Sequence, residues 1–305
     1  MDSRRRTVLD AVLNRESTMS RLSRRQFVQV AGAGLAAARV GFAETKVLTA
    51  GEVVNRIKKN LGIPWNYATY RDTFKIGGPE TVVSGIATSF GANLRVLQLA
   101  NKAALNMVIV HEPTFYSDGD RVDLVKNDPL YHMKLEWADL NDIVVWRIHD
   151  HWHARKPDGI ATGWVRGMGW EKYEIDGSLR DFRLPETTLG ELAKEVARKL
   201  DTRSVRVVGD PATRVTLVSR GGHQLPQNMA ALPKVDCILV SETREYDSFE
   251  YVRDMVLTGQ RKGAIFISHT SGEDLGMEEM ERWLKPLVPE VPIRFIPTTD
   301  ELWTV

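Results

Sequence analysis

The residues best suited to chemistry in this chain are His111-Glu112-Pro113 and, about half a chain later, His269 with Glu273. Each group follows a run that reads as a buried strand: Val108-Ile109-Val110 before His111, and Ala264-Ile265-Phe266-Ile267-Ser268 before His269. Imidazole and carboxylate together are good ligands for a borderline divalent ion, and the carboxyl ends of strands are where ligands collect in open α/β folds. A third group follows the run Asp142 to Ile148, namely His149-Asp150-His151-Trp152-His153. If this segment is extended, alternate residues share one side, and all three imidazoles face one site. Three strand ends carrying such residues predict one metal site assembled from distant segments.

The four-residue spacing of His269 and Glu273 suits one helical face or a strand-to-helix turn, and Gly272 favours the turn. Glu273 could otherwise simply complement a helix dipole. Glu112, Glu273 and His149 are the candidates for moving protons. Gly221-Gly222-His223 after a strand could let a phosphate approach backbone N–H groups, but no full phosphate-loop signature surrounds it, so a tight turn is the expectation. His132 lies on a helical pattern near Trp137 and reads as a surface or core histidine.

The elements that must position these residues alternate. Helices are predicted over 46–60, 93–104 and 130–140, and strands over 81–86, 107–110 and around Val144. A Gly-, Arg-, Asp- and Pro-rich region, 155–187, reads as a boundary. Thr188 and Glu191 have capping-box spacing and open a helix to about Leu200. Strands are then expected over 203–208, 215–219, 235–241 and 264–268, helices over 249–257 and 278–287, and a last strand at 293–295. The alternation predicts an α/β domain with a mostly parallel sheet.

Residues 1–43 hold eight Arg against three acidic residues, so the rest of the chain is net acidic although the whole carries +1. That balance gives no support to nucleic-acid binding, which wants a basic face. The single cysteine, Cys237, rules out an intrachain disulfide and any Cys-rich metal site, and its apolar surroundings predict a buried thiol. Ser23-Arg24-Arg25-Gln26-Phe27-Val28-Gln29 resembles the bacterial twin-arginine export motif. An uncharged Ala/Gly-rich stretch follows, and Gly41-Phe42-Ala43 could end at a cleavage site. The expectation is a signal peptide over 1–43, read by the twin-arginine export machinery, and a periplasmic or otherwise exported mature chain.

Taken together, the mature chain resembles the Nif-three-like dinuclear-metal family, also known as type-two homologues of GTP cyclohydrolase I. The family pattern of strand then His-His-Pro, strand then His-Thr-Asn-Leu-Asp, and finally Gly-His-Tyr-x-x-Glu appears here as His111-Glu112-Pro113, His149 to His153, and Ser268 to Glu273. The glycine turn and the Leu189–Gly209 and Asp236–Glu242 segments fall in the same order. Two positions depart: Glu112 stands where the family has its second His, and His153 where it has Asp. The swaps compensate, leaving three His and two carboxylates.

The resemblance implies a fold of two interleaved α/β lobes over 44–305, lobe one about 44–155 and lobe two about 188–275, with the C-terminal helix and strand packing back. It implies two divalent ions (zinc, iron or manganese) held by His111, Glu112, His153, His269 and Glu273. Glu273 would bridge the ions, and His149 would either support a ligand from behind or face the substrate. It also implies a homo-oligomer, a toroidal hexamer. The function expected is a metal-dependent hydrolase of a small molecule; the alternative is a non-catalytic periplasmic metal-binding or scaffold protein.

Overall fold

The computed structural model describes residues 47–241 and 244–298. The predicted signal peptide and Glu242 lie outside the described residues. Two five-stranded sheets form the frame. In chain order the elements of the first half are α1 (Ala50–Asn60), β1 (Phe74–Ile76), β2 (Ile86–Ser89), α2 (Leu94–Lys102), β3 (Met107–Val110), α3 (Pro129–Leu140), β4 (Val144–Arg147), α4 (Asp150–Ala154) and α5 (Gly159–Met168). They continue with β5 (Asp181–Thr188), α6 (Leu189–Lys199), β6 (Arg206–Val208), β7 (Arg214–Arg220), α7 (Leu225–Ala231), β8 (Cys237–Ser241), α8 (Glu250–Leu257), β9 (Gly263–Ile267), α9 (His269–Leu284) and β10 (Ile293–Phe295).

The first sheet runs β1-β4-β3-β2-β10 and the second β5-β7-β8-β9-β6. The central pairings β2/β3, β3/β4, β7/β8 and β8/β9 are parallel, while β1, β5 and β6 pair antiparallel at edges. β2, β3, β4 and β9 are buried at every position, which is why β3 and β9 read as continuous apolar runs rather than alternating ones. The last strand, β10, returns to the first sheet and pairs in parallel with β2. Among the described residues no helix is long and apolar enough to cross a membrane.

Several expectations are corrected. The strand predicted over 81–86 begins at Ile86. The supposed boundary at 155–187 contains α5 and most of β5. The glycines of α5 are there for close packing: a Cβ on Gly163 would lie 2.2 Å from the Leu275 carbonyl oxygen of α9, and one on Gly159 would lie 2.1 Å from the Trp152 indole. The helix predicted over 278–287 is the second half of α9, which starts at His269 with Ser268 as its N-cap. The cap residue Thr188 does accept the Glu191 N–H, at 3.3 Å. Cys237 is buried, and burial pushes its thiol far above the ordinary range.

Candidate metal centre

The carboxyl ends of strands from both sheets supply the site. β3 ends at His111 and Glu112, β4 leads to His149, and β9 leads into α9, which opens with His269 and Glu273. His153 comes from the short helix α4. All six line a cavity of about 880 Å³ or lie against its wall, Glu112, His149, His153, His269 and Glu273 directly.

The His149–His153 segment is helical, not extended. Its cause is a residue far away in sequence: Asp72 accepts the backbone N–H groups of His149 at 2.6 Å, Asp150 at 3.1 Å and His151 at 2.9 Å. A carboxylate at a helix start satisfies donors that have no intrahelical partner. The turn brings His149 and His153 together and sends His151 the other way. His151 Nδ1 meets Asp72, its Nε2 accepts the Asn66 N–H at 2.8 Å, and its ring stacks on Trp65 with centroids 3.7 Å apart. The expectation of three imidazoles on one side therefore fails for His151.

Gly272 likewise marks no turn. His269 and Glu273 lie on one face of α9, with Nε2 of the first 2.9 Å from Oε2 of the second. Gly272 is small because α9 approaches β8 closely there; a Cβ would lie 2.6 Å from the Ser241 Cβ.

Three histidines share one orientation. His111 Nδ1 is 3.1 Å from the Ile148 carbonyl, His149 Nδ1 is 3.0 Å from Asp150 Oδ1, and His153 Nδ1 is 3.0 Å from Asp158 Oδ2. Such partners take the Nδ1–H and leave Nε2 as the free lone pair, the outer-shell arrangement of metal-binding histidines. Glu112 Oε1 faces them, 3.5 Å from His149 Nε2 and 3.6 Å from His269 Nε2. Its other oxygen accepts from the fully buried Arg147 at 3.1 Å, whose Nε also donates to the His111 carbonyl at 2.8 Å.

Two groups of candidate ligand atoms result, each within 4.8 Å of one another: His111 with His149 and His153, and His111 with Glu112 and Glu273. His111 Nε2 and Glu273 Oε2 are buried and make no hydrogen bond, although they lie 3.3 Å apart. A buried imidazole nitrogen and a buried carboxylate oxygen facing each other out of water, with His269 Nε2 2.9 Å from the same oxygen, are costly unless a proton or a cation is shared among them. The donor set therefore fits a divalent ion.

The electrostatics agree. Burial works to raise Glu273, but His111 and His269 outweigh it and hold the carboxyl well below the usual range. Burial raises Glu112 against the pull of His111, His269 and Arg147. Burial, then the charges of His111 and His153, lower His149 to about 4. His153 is raised, because Asp158 and Glu273 outweigh its burial.

The sequence reading passed over His223. The glycine turn after β7 places its Nε2 3.7 Å from Glu273 Oε1 and its ring 5.5 Å from that of His269, on the same cavity. The turn's own N–H groups are spent internally, Gly221 on the Leu239 carbonyl at 2.7 Å and Gly222 on Asn228 Oδ1 at 2.9 Å, so the tight-turn reading fits the geometry. The only available signal for His223 was its position after a strand end. His132 is exposed on α3, away from the cavity lining.

A family model described as Duf34/NIF3 (NGG1p interacting factor 3) matches residues 48–301. The chain belongs to this family. It is 27% identical over 192 residues to a protein of Clostridium acetobutylicum named GTP cyclohydrolase 1 type 2 homolog, a match covering 59% of this chain and 69% of that one. Its fold is similar to that of a Bacillus cereus protein related to NIF3, with TM-score 0.67 at 14% identity, covering 85% of this chain and all of the other. It is also similar to Staphylococcus aureus hypothetical protein SA1388, with TM-score 0.65 at 15% identity and the same coverage.

Proposed function

We propose that this chain is an exported, metal-dependent hydrolase with a dinuclear centre, acting on a small molecule that enters the 880 Å³ cavity. The observation that carries the reading is the buried cluster of His111 Nε2, His269 Nε2 and Glu273 Oε2, at the focus of an outer shell that orients three imidazoles. His111, Glu112, His153, His269 and Glu273 would hold the two ions. Zinc, iron and manganese all suit this mixture of nitrogen and oxygen donors. When bound, the ions supply Lewis acidity toward a phosphoryl or carbonyl oxygen.

The remaining work falls to the chain's own groups. His149 is neutral near pH 7, because its value is lowered to about 4, and its Nε2 faces the cavity side of Glu112 as a proton acceptor. Arg147 fixes one oxygen of Glu112 and leaves the other directed at the cluster. The exchange of His for Glu at 112 and of Asp for His at 153 preserves the ligand count, which supports a re-dressed site rather than a lost one. Export rests on the Ser23–Gln29 motif, and assembly as a homo-hexamer rests on the family resemblance.

The test is metal content per chain by plasma mass spectrometry, beside Glu112→Ala, His153→Ala and Glu273→Ala. About two ions per chain, falling in all three variants, together with chelator-sensitive turnover of phosphoesters or cyclic amides, is the expected result. Background metal after reconstitution with all three ions would overturn the reading. Export is checked by changing Arg24 and Arg25 to Lys, which should leave the protein in the cytoplasm.

A further inference from the structure

A second cavity, of about 400 Å³, shares no lining residue with the first. Three cations line it, Lys156, Arg180 and Arg220, against one acid, Asp158. That acid is already committed: Oδ1 accepts the Ala161 N–H at 3.0 Å, and Oδ2 holds His153 at 3.0 Å.

Arg220, at the end of β7, is the informative residue. It is largely withdrawn from solvent, with its guanidinium 4.8 Å from the centre of the Trp164 ring. Among the described residues it makes no hydrogen bond from its side chain and no ion pair. Arg180 has only a long contact, Nε to Ser219 Oγ at 3.5 Å. Arg71, half-buried like Arg220, and the fully buried Arg147 each meet two or more carboxylates. A guanidinium withdrawn from water without a hydrogen-bond acceptor is costly, and Arg220, which the Asp158 and Glu273 charges reach only at a distance, stands with the weakly engaged Arg180 on one cavity wall where an anion would satisfy both.

We propose that this cavity binds a small oxyanion of the phosphate type, free or at the end of a phosphomonoester, gripped by Arg220 and Arg180 with the exposed Lys156 at its edge. The planar guanidinium fork presents paired donors to two oxygens of one group. Three cations against one acid suit a dianion better than a single carboxylate. The bound anion sits one residue from the metal centre, because Asp158 belongs to this cavity's wall and also holds His153.

Calorimetric titration of the full chain, stripped of metal and freed of chelator, tests this with inorganic phosphate, glycerol phosphate and sodium chloride at matched ionic strength. Saturable binding of a phosphate compound is expected, weakened at least tenfold in Arg220→Met and in Arg180→Gln and unchanged in His269→Ala. Tighter binding of the ester places the oxyanion on an organic ligand, and tighter binding of inorganic phosphate makes the free ion the ligand; either upholds the site. Heats no larger than those of chloride would overturn the proposal. So would wild-type affinity in both arginine variants, or loss of binding in His269→Ala, which would put the anion in the metal centre. If Arg220→Met does not fold, as judged by near-ultraviolet circular dichroism, Arg180→Gln decides alone.

Discussion

Asp158 joins His153 to the start of α5: one carboxylate oxygen accepts from His153 Nδ1 at 3.0 Å and the other caps the helix through the Ala161 N–H at 3.0 Å. The same side chain therefore sets the orientation of a candidate ligand and the origin of the helix that packs on α9. Asp158→Asn separates the two roles, since Asn caps a helix about as well as Asp. The expected outcome is a stability change under about 1 kcal/mol by urea denaturation, with metal affinity lowered roughly 10–100-fold in a competition titration. Unchanged affinity would mean that His153 is not held by this contact.

The exchanged pair offers a double-mutant cycle. Glu112→His and His153→Asp, made singly, change the ligand charge in opposite directions and should each lower metal content. The double variant restores the family pattern and should recover most of it, giving a coupling of about 1–3 kcal/mol in metal-binding free energy. Strictly additive losses in equilibrium dialysis would show that the two positions do not share a site.

The α5–α9 contact depends on absent side chains. A Cβ on Gly163 would meet the Leu275 carbonyl oxygen at 2.2 Å, and one on Gly276 would meet the Ile160 Cα at 2.6 Å. Both obstacles are backbone and cannot swing aside. Gly163→Ala should destabilise the fold by about 2 kcal/mol, overpacking outweighing the helix-propensity gain. Because α9 carries His269 and Glu273, metal content should fall with it. A neutral or raised melting temperature would contradict the close approach.

Lys134, on the wall of the same cavity, gives a pH signature of its own. It is buried, its Nζ donates to the Thr114 carbonyl at 2.7 Å, and burial, opposed only in part by Asp120, lowers it to about 8. Its folded value lies below its unfolded one, so the unfolded chain binds the proton more tightly, and stability rises with pH between about 8 and 10.5. The full difference is worth about 3 kcal/mol at most. Lys134→Met should flatten the rise in a denaturation series over that window, and an unchanged slope would assign the rise to other groups.

Much of the site was legible because its ligands follow continuous apolar runs, and a run buried on both faces ends visibly where polar residues begin. Met107–Val110 and Ile293–Phe295 fall where the pattern put them. What failed was decided by distant partners. Asp72, 77 residues before His149 in the chain, turns an apparent extension of β4 into a helix and recruits His151 away. The glycines of 159–167 look like loop punctuation, and only the presence of Trp152 and Leu275 against them shows that they are packing residues. His223 is marked only by following a strand end, and its place beside Glu273 depends on how β7 lies across from α9.

The path of α9 and β10 has a mechanical consequence. α9 leaves the second sheet with Glu273 on its first turns, takes the Thr88 hydroxyl on its Met277 carbonyl at 2.7 Å and the Trp152 indole on its Gly276 carbonyl at 3.2 Å, and delivers β10 to the edge of the first sheet. The chain thus stitches the two halves of the cleft together after having built them. A hinged jaw would need that seam to tear, with strand pairing and buried hydrogen bonds lost together. Closing the cleft would therefore cost those contacts, and a guest would be chosen by how it fits the gap as it stands.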